Sequence, residues 1–204
     1  MRIGVVVVAL VAWVTSVPAA RAEPGGLRLY QYSVQGRGNV SDLEAFAAAA
    51  AETYADPRGW NRGGTVRFER VASGGDFTLW LAAAGQVPTF GGACDAIWSC
   101  RNGRNVVINE DRWLAGSPAW TGAGGSVRDY RHMVVNHETG HWLGLGHVNC
   151  AAPGSAATIM QQQSIDLQGC TPNPWPQPLL TTQGQDAIGR DTGNIVRPAT
   201  LGGG

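Results

Sequence analysis

The sequence predicts a single α/β domain, and three observations carry that reading. Its 204 residues suit one domain. Strand-like runs alternate with helical periodicity in the order strand, helix, strands, helix, helix. No internal repeat and no second domain is visible.

Leu27 to Val34, "LRLYQYSV", alternates and reads as the first strand. Ser41-Asp42-Leu43-Glu44 reads as a capping box opening an alanine-rich helix to about Ala55. Leu43, Phe46, Ala47, Ala50 and Tyr54 form its apolar face, and Asp56-Pro57-Arg58-Gly59 stops it. Thr65 to Val71 and Phe77 to Ala82 read as two strands around a Ser-Gly-Gly turn, with Phe77, Leu79 and Leu81 on one side. A loop rich in Gly and Cys precedes a short buried strand, Asn105 to Asn109. Ser126 and Asp129 cap the next helix, where Val127, Tyr130, Val134, His137 and His141 share a face at steps of three and four. The chain then reads as irregular through Pro178, with a short last helix beginning near Thr182 and a frayed tail over 191–204.

The first residues predict export. Arg2, an apolar run from Ile3 to Val14 and the small-x-small triplet Ala20-Arg21-Ala22 have the layout of a signal peptide over residues 1–22. That run is too short for a membrane span, which needs roughly twenty residues. The domain is expected over 23–190, secreted and without a membrane span. Cleavage would remove Arg2 and Arg21 and keep all 15 acids, leaving 13 bases and a net charge of −2. This lacks the basic footprint of a nucleic-acid binder, so no nucleic-acid partner is expected.

Cys94, Cys100, Cys150 and Cys170 suit an oxidising compartment and two disulfides. Three connectivities exist; Cys94–Cys100 with Cys150–Cys170 closes the shortest loops and is favoured. A structural zinc site built from them fails on spacing, because no C-x₂₋₄-C pair occurs.

The chemistry concentrates in "HETGHWLGLGH", His137 to His147, which holds three of the four histidines. On a helix, His137 and His141 lie one turn apart on one side. Gly144 tolerates the left-handed conformation that ends a helix, and so lets His147 return as a third ligand. Three histidines leave a fourth tetrahedral zinc position open to water. Glu138, about 100° around the helix from His137, can stand beside the metal as general base for that water. One catalytic zinc is the expected cofactor. His132, off the ligand face, reads as a surface or packing residue.

These residues resemble the metzincin clan of zinc peptidases, whose motif is H-E-x-x-H-x-x-G-x-x-H followed by a methionine turn. His137, Glu138, His141, Gly144 and His147 match the motif, and Met160 in "ATIMQ" is similar to the turn methionine. More broadly, "SCRNGRNVVIN", "DRW", "NHETGHWLGLGH" and "CTPNPWP" resemble a bacterial secreted family of unknown function grouped with zincin-like peptidases. The resemblance spans roughly Thr65 to Pro176. It implies a zincin-like fold: a twisted, mostly parallel sheet, an active-site helix, and a cleft above a small, irregular C-terminal lower part. Three features depart from the well-known subfamilies. No tyrosine follows Met160, little chain lies between the cleavage site and the first strand for a prodomain, and residue 148 is Val148.

Other residues read as structural. Glu110 and Asp111 read as an exposed acidic turn in preference to a calcium site. Trp142 reads as packing beneath its helix in preference to walling the cleft. The expected function is a secreted, monomeric zinc endopeptidase acting on protein or peptide. A non-catalytic zinc-bearing surface module and a zinc hydrolase of a cell-wall amide are the alternatives.

Overall fold

The computed structural model describes residues 26–177. The expected signal peptide, last helix and tail therefore lie outside the described residues. The described chain is a mixed α/β structure around one five-stranded sheet: β1 (Arg28–Arg37), β2 (Val66–Arg70), β3 (Phe77–Ala82), β4 (Cys100–Asn102) and β5 (Asn105–Asn109). The strand order is β2-β1-β3-β5-β4. Every pairing is parallel except β4 with β5, a hairpin that leaves β4 as an antiparallel edge. Four helices accompany the sheet: α1 (Leu43–Ala55), α2 (Glu110–Ala115), α3 (Pro118–Gly122) and α4 (Val127–Trp142). The mostly parallel α/β architecture is the class the sequence predicts.

Strands buried on both faces need near-continuous apolar runs, and β3 and β5 supply them. On one face Tyr32, Phe77, Leu79, Val106 and Ile108 join Phe46 of α1 and Met133 and Val134 of α4 in the main core. On the other, Ala82 and Val107 pack with Val87 and Cys94. Here a 3₁₀ segment (Ala84–Phe90) and the Cys94–Cys100 disulfide cover the sheet. The second disulfide, Cys150–Cys170, closes a 20-residue separation in the C-terminal part. Among the described residues no helix is long and apolar enough to cross a membrane.

The Ser-Gly-Gly segment joins two strands that are not neighbours in the sheet: β2 and β3 lie on opposite sides of β1. β2 pairs with Arg28–Tyr32 and β3 with Tyr32–Arg37, so the connection steps across β1 at the level where one ladder ends and the other begins. Gly75 (φ +84°) makes that crossing possible, since a Cβ there would lie 2.7 Å from the Gln31 carbonyl oxygen. The N-cap of α1 is Asp42, whose Oδ1 accepts from the Ala45 amide at 2.9 Å, one residue later than the capping box implies. Glu44 instead pairs with Arg70 on β2. Glu110 is buried, not an exposed turn: its Oε1 accepts from the Ser41 amide at 2.5 Å and ties α2 to the start of α1.

Candidate metal centre

Helix α4 carries the first two histidines. Ser126 caps it, its Oγ accepting from the Asp129 amide at 3.0 Å. The helix lies in the core, with Tyr130, Met133, Val134, His137 and Glu138 all buried. It ends at Trp142, and Gly144 adopts φ +91°. The Gly144 amide then donates to the His141 carbonyl at 3.1 Å and the Leu145 amide to the Gly140 carbonyl at 3.0 Å. That pair of bonds is a Schellman motif. It reverses the chain so that His147 faces back towards the helix.

The three imidazoles converge. Nε2 of His137 lies 3.1 Å from that of His141 and 3.3 Å from that of His147, and the His141–His147 separation is 2.9 Å. His137 Nδ1 donates to the Ile159 carbonyl at 2.7 Å, and His141 Nδ1 donates to the Leu145 carbonyl at 2.8 Å. A carbonyl can only accept, so both rings carry their proton on Nδ1, and in the neutral form each Nε2 presents a bare lone pair. Bare lone pairs this close repel unless a cation lies between them. A tetrahedral zinc with Zn–N of about 2.0–2.1 Å would set its ligand nitrogens roughly 3.3 Å apart. The donor set therefore fits a metal ion, and His137, His141 and His147 are the residues that would hold it.

Burial keeps these rings neutral, as metal ligands must be. It lowers His137 to about 3, with the neighbouring His141 adding to the shift and the bond to Ile159 opposing it. His141 and His147 are also lowered, chiefly by burial. Glu138 is fully within the protein, and its Oε2 has no hydrogen-bond partner. Burial pushes its carboxyl up to about 8, against a smaller downward pull from Arg101. A carboxylate held dry beside a cation site is suited to accept a proton.

A cleft of about 530 Å³ opens over these groups. Its upper wall is the disulfide-closed segment and β4, including Trp98 and Arg101; its lower wall is Gln162 to Ile165. Tyr130 Oη meets Ser164 Oγ at 2.8 Å and ties the lower wall to α4.

Met160 lies fully buried against Gly140 of α4. A Cβ at Gly140 would overlap its Sδ and come within 3.1 Å of Trp60. The Met160 carbonyl accepts from the Val148 amide at 3.2 Å, and its neighbour Ile159 orients His137. The segment after His147 is irregular, as expected, but it is built. Asn173 and Gln163 exchange bonds of 2.9 and 2.8 Å. Gln161 Nε2 reaches the Leu167 carbonyl at 2.7 Å, and Asn173 and Gln177 both donate to the Ala157 carbonyl at 2.8 Å.

The remaining candidates stand outside the centre. His132 is buried against Trp175 and bonds Thr53 Oγ1 at 2.9 Å, a packing role. Trp142 packs on Tyr30 and Phe77 of the sheet. Asp111 heads α2, its amide donating to Asn109 Oδ1 at 3.0 Å. Sequence reading missed Arg101 and Gly140. Arg101 lay within a quoted motif, but its place in the cleft follows only from the β4–β5 pairing.

Fold and site together give an α/β protein with three converging histidines that could hold a metal ion and a buried glutamate in the same cleft. The chain belongs to the family described as "Protein of unknown function (DUF3152)", whose model matches residues 12–173. No curated protein matches the sequence. Among solved structures it is similar to archaemetzincin from Methanopyrus kandleri, with 17% identity and a TM-score of 0.48, covering 83% of this chain and 100% of that one.

Proposed function

We propose that this protein is a secreted zinc-dependent peptidase. One observation carries the reading: Glu138, buried and with a free carboxylate oxygen, stands next to a converging histidine triad at the base of an open cleft. A site that only held a metal would not need that carboxylate. The two disulfides support an oxidising destination, and the motif's resemblance to metzincins supports zinc and a peptide substrate.

A zinc ion held by His137, His141 and His147 would acidify water and polarise the carbonyl of the bond to be cut. The protein's own groups supply the rest. The Ile159 and Leu145 carbonyls fix the ring orientations of His137 and His141. Glu138 takes the proton from the attacking water and returns it to the leaving amine nitrogen. The cleft walls hold the substrate segment over Glu138.

The test is metal analysis with hydrolysis of an unstructured protein. The purified chain should hold one zinc and cut the substrate. His→Ala at 137, 141 or 147 should lose most of the metal. Glu138→Gln should keep the zinc and lower turnover by roughly 10²–10⁴. Full zinc with near-normal turnover in that variant would remove Glu138 from the role. No cleavage by the zinc-loaded chain would overturn the peptidase reading.

A further inference from the structure

The cleft holds one cation whose purpose the histidines and Glu138 leave unexplained. Arg101 sits on β4 opposite Val106. Val106 belongs to the core on the α4 side of the sheet, whereas Cys100 pairs opposite Val107, which packs on the other side. Strand alternation therefore sends the Arg101 side chain towards α4 and Cys100 away from it. The side chain lines the same cleft as His137, Glu138 and His141. Its charge reaches both Glu138 and His141.

Arg101 is exposed and has no hydrogen bond or ion pair among the described residues. Asp95, the acid of the upper wall, makes no ion pair with Arg101, and its Oδ1 accepts from the Ile97 and Trp98 amides at 2.7 and 2.9 Å. A guanidinium so placed is electrostatically unfavourable for the centre, since it opposes a metal cation. An anionic group arriving in the cleft would reverse that effect. A carboxylate is the natural partner, because the planar guanidinium fork matches it bidentately. Trp98 and Ile165, on the facing walls, offer apolar surface to the stem that carries it.

We propose that Arg101 is the receptor for a substrate carboxylate, so that the centre acts on peptide segments with an acidic group beside the bond to be cut. This rests on the peptidase reading above, and the carboxylate comes from an acidic side chain or from a free C-terminus.

The experiment uses acetylated, amidated peptides that differ only in Glu, Gln or Lys at one position, scanned along the sequence, plus a set with a free C-terminal carboxylate. Hydrolysis by the zinc-loaded chain gives kcat and KM separately. Calorimetric binding to the zinc-loaded Glu138→Gln chain reads the same preference without turnover. The expected result is an acidic-over-neutral ratio of about tenfold, carried mainly by KM and by binding. That ratio should collapse towards one in Arg101→Gln and invert towards Lys in Arg101→Glu. The inversion is a change that simple loss of packing would not produce. Preference for internal Glu in the amidated set identifies the side chain as the source; preference confined to the free-acid set identifies the C-terminus. Equal binding of Glu and Gln peptides in both sets, or a ratio unchanged in Arg101→Gln, overturns the inference. Retained, Arg101-dependent acidic binding with no cleavage of any peptide overturns the peptidase reading alone.

Discussion

Gly140 sits between the two helical histidines in sequence, and its missing side chain is what lets Met160 pack directly against α4. Met160 and Trp60 are both fully buried, so neither has room to withdraw from an added methyl group. Gly140→Ala should cost about 1–3 kcal/mol through overpacking, although alanine is the better helix former. Urea unfolding checks this, with a lower midpoint at unchanged slope. A variant as stable as the wild type would show that the floor beneath α4 is soft. At this scale, the histidines and Gly144 were legible because helix geometry dictates their spacing locally. Gly140 and Arg101 were not, because each acquires its meaning from a residue distant in sequence: Met160 for the first, Glu138 for the second. Glu110 misled for the same reason, since the amide it serves, Ser41, lies 69 residues away.

The end of α4 is the element on which the third histidine depends. Its closing turn does two things: it aims His147 back at the helix, and it presents the Leu145 carbonyl to His141 Nδ1. Gly144→Ala puts a side chain at φ +91°, a conformation that strains an alanine by about 1–2 kcal/mol. The strain should relax by opening the turn, so zinc affinity should fall by about tenfold or more while the helix remains. Chelator competition measures the affinity and far-ultraviolet circular dichroism the helix. Unchanged affinity would show that the turn does not position the ligands. The long elements α1, α4 and β1 were legible in the sequence because they repeat their apolar pattern over 13, 16 and 10 residues, and the short β3 and β5 because their residues are concentrated apolar runs. The three-residue β4 and the short α2 and α3 carry too little periodicity to register. The β2–β3 crossing escaped because a Ser-Gly-Gly turn looks the same whether it folds a hairpin or steps over a neighbouring strand.

In the whole molecule, the two disulfides stand on opposite sides of the cleft. Cys94–Cys100 closes the loop that leads into β4, and Cys150–Cys170 closes the segment that contains Met160. That second segment has almost no regular structure; the side-chain amides of buried Gln161 and Gln163 and of half-buried Asn173 hold it together. These bonds link points along an otherwise irregular chain and are lost together if it shifts, so it is the part of the fold that most needs a covalent restraint. Cross-linking over about twenty residues should stabilise the fold by roughly 3 kcal/mol in the chain-entropy model. Replacing Cys150 and Cys170 together by Ser should therefore lower the melting temperature by several degrees. It should also weaken zinc binding, because the Ile159 carbonyl that orients His137 and the chain following His147 both belong to the loosened segment. Melting curves with and without zinc, beside a zinc titration, read the two effects separately. A melting temperature that falls while zinc affinity stays constant would show that the amide network alone holds the floor of the site. Loss of both together, with normal affinity in the Cys94→Ser, Cys100→Ser chain, would assign the support of the metal centre to the lower disulfide.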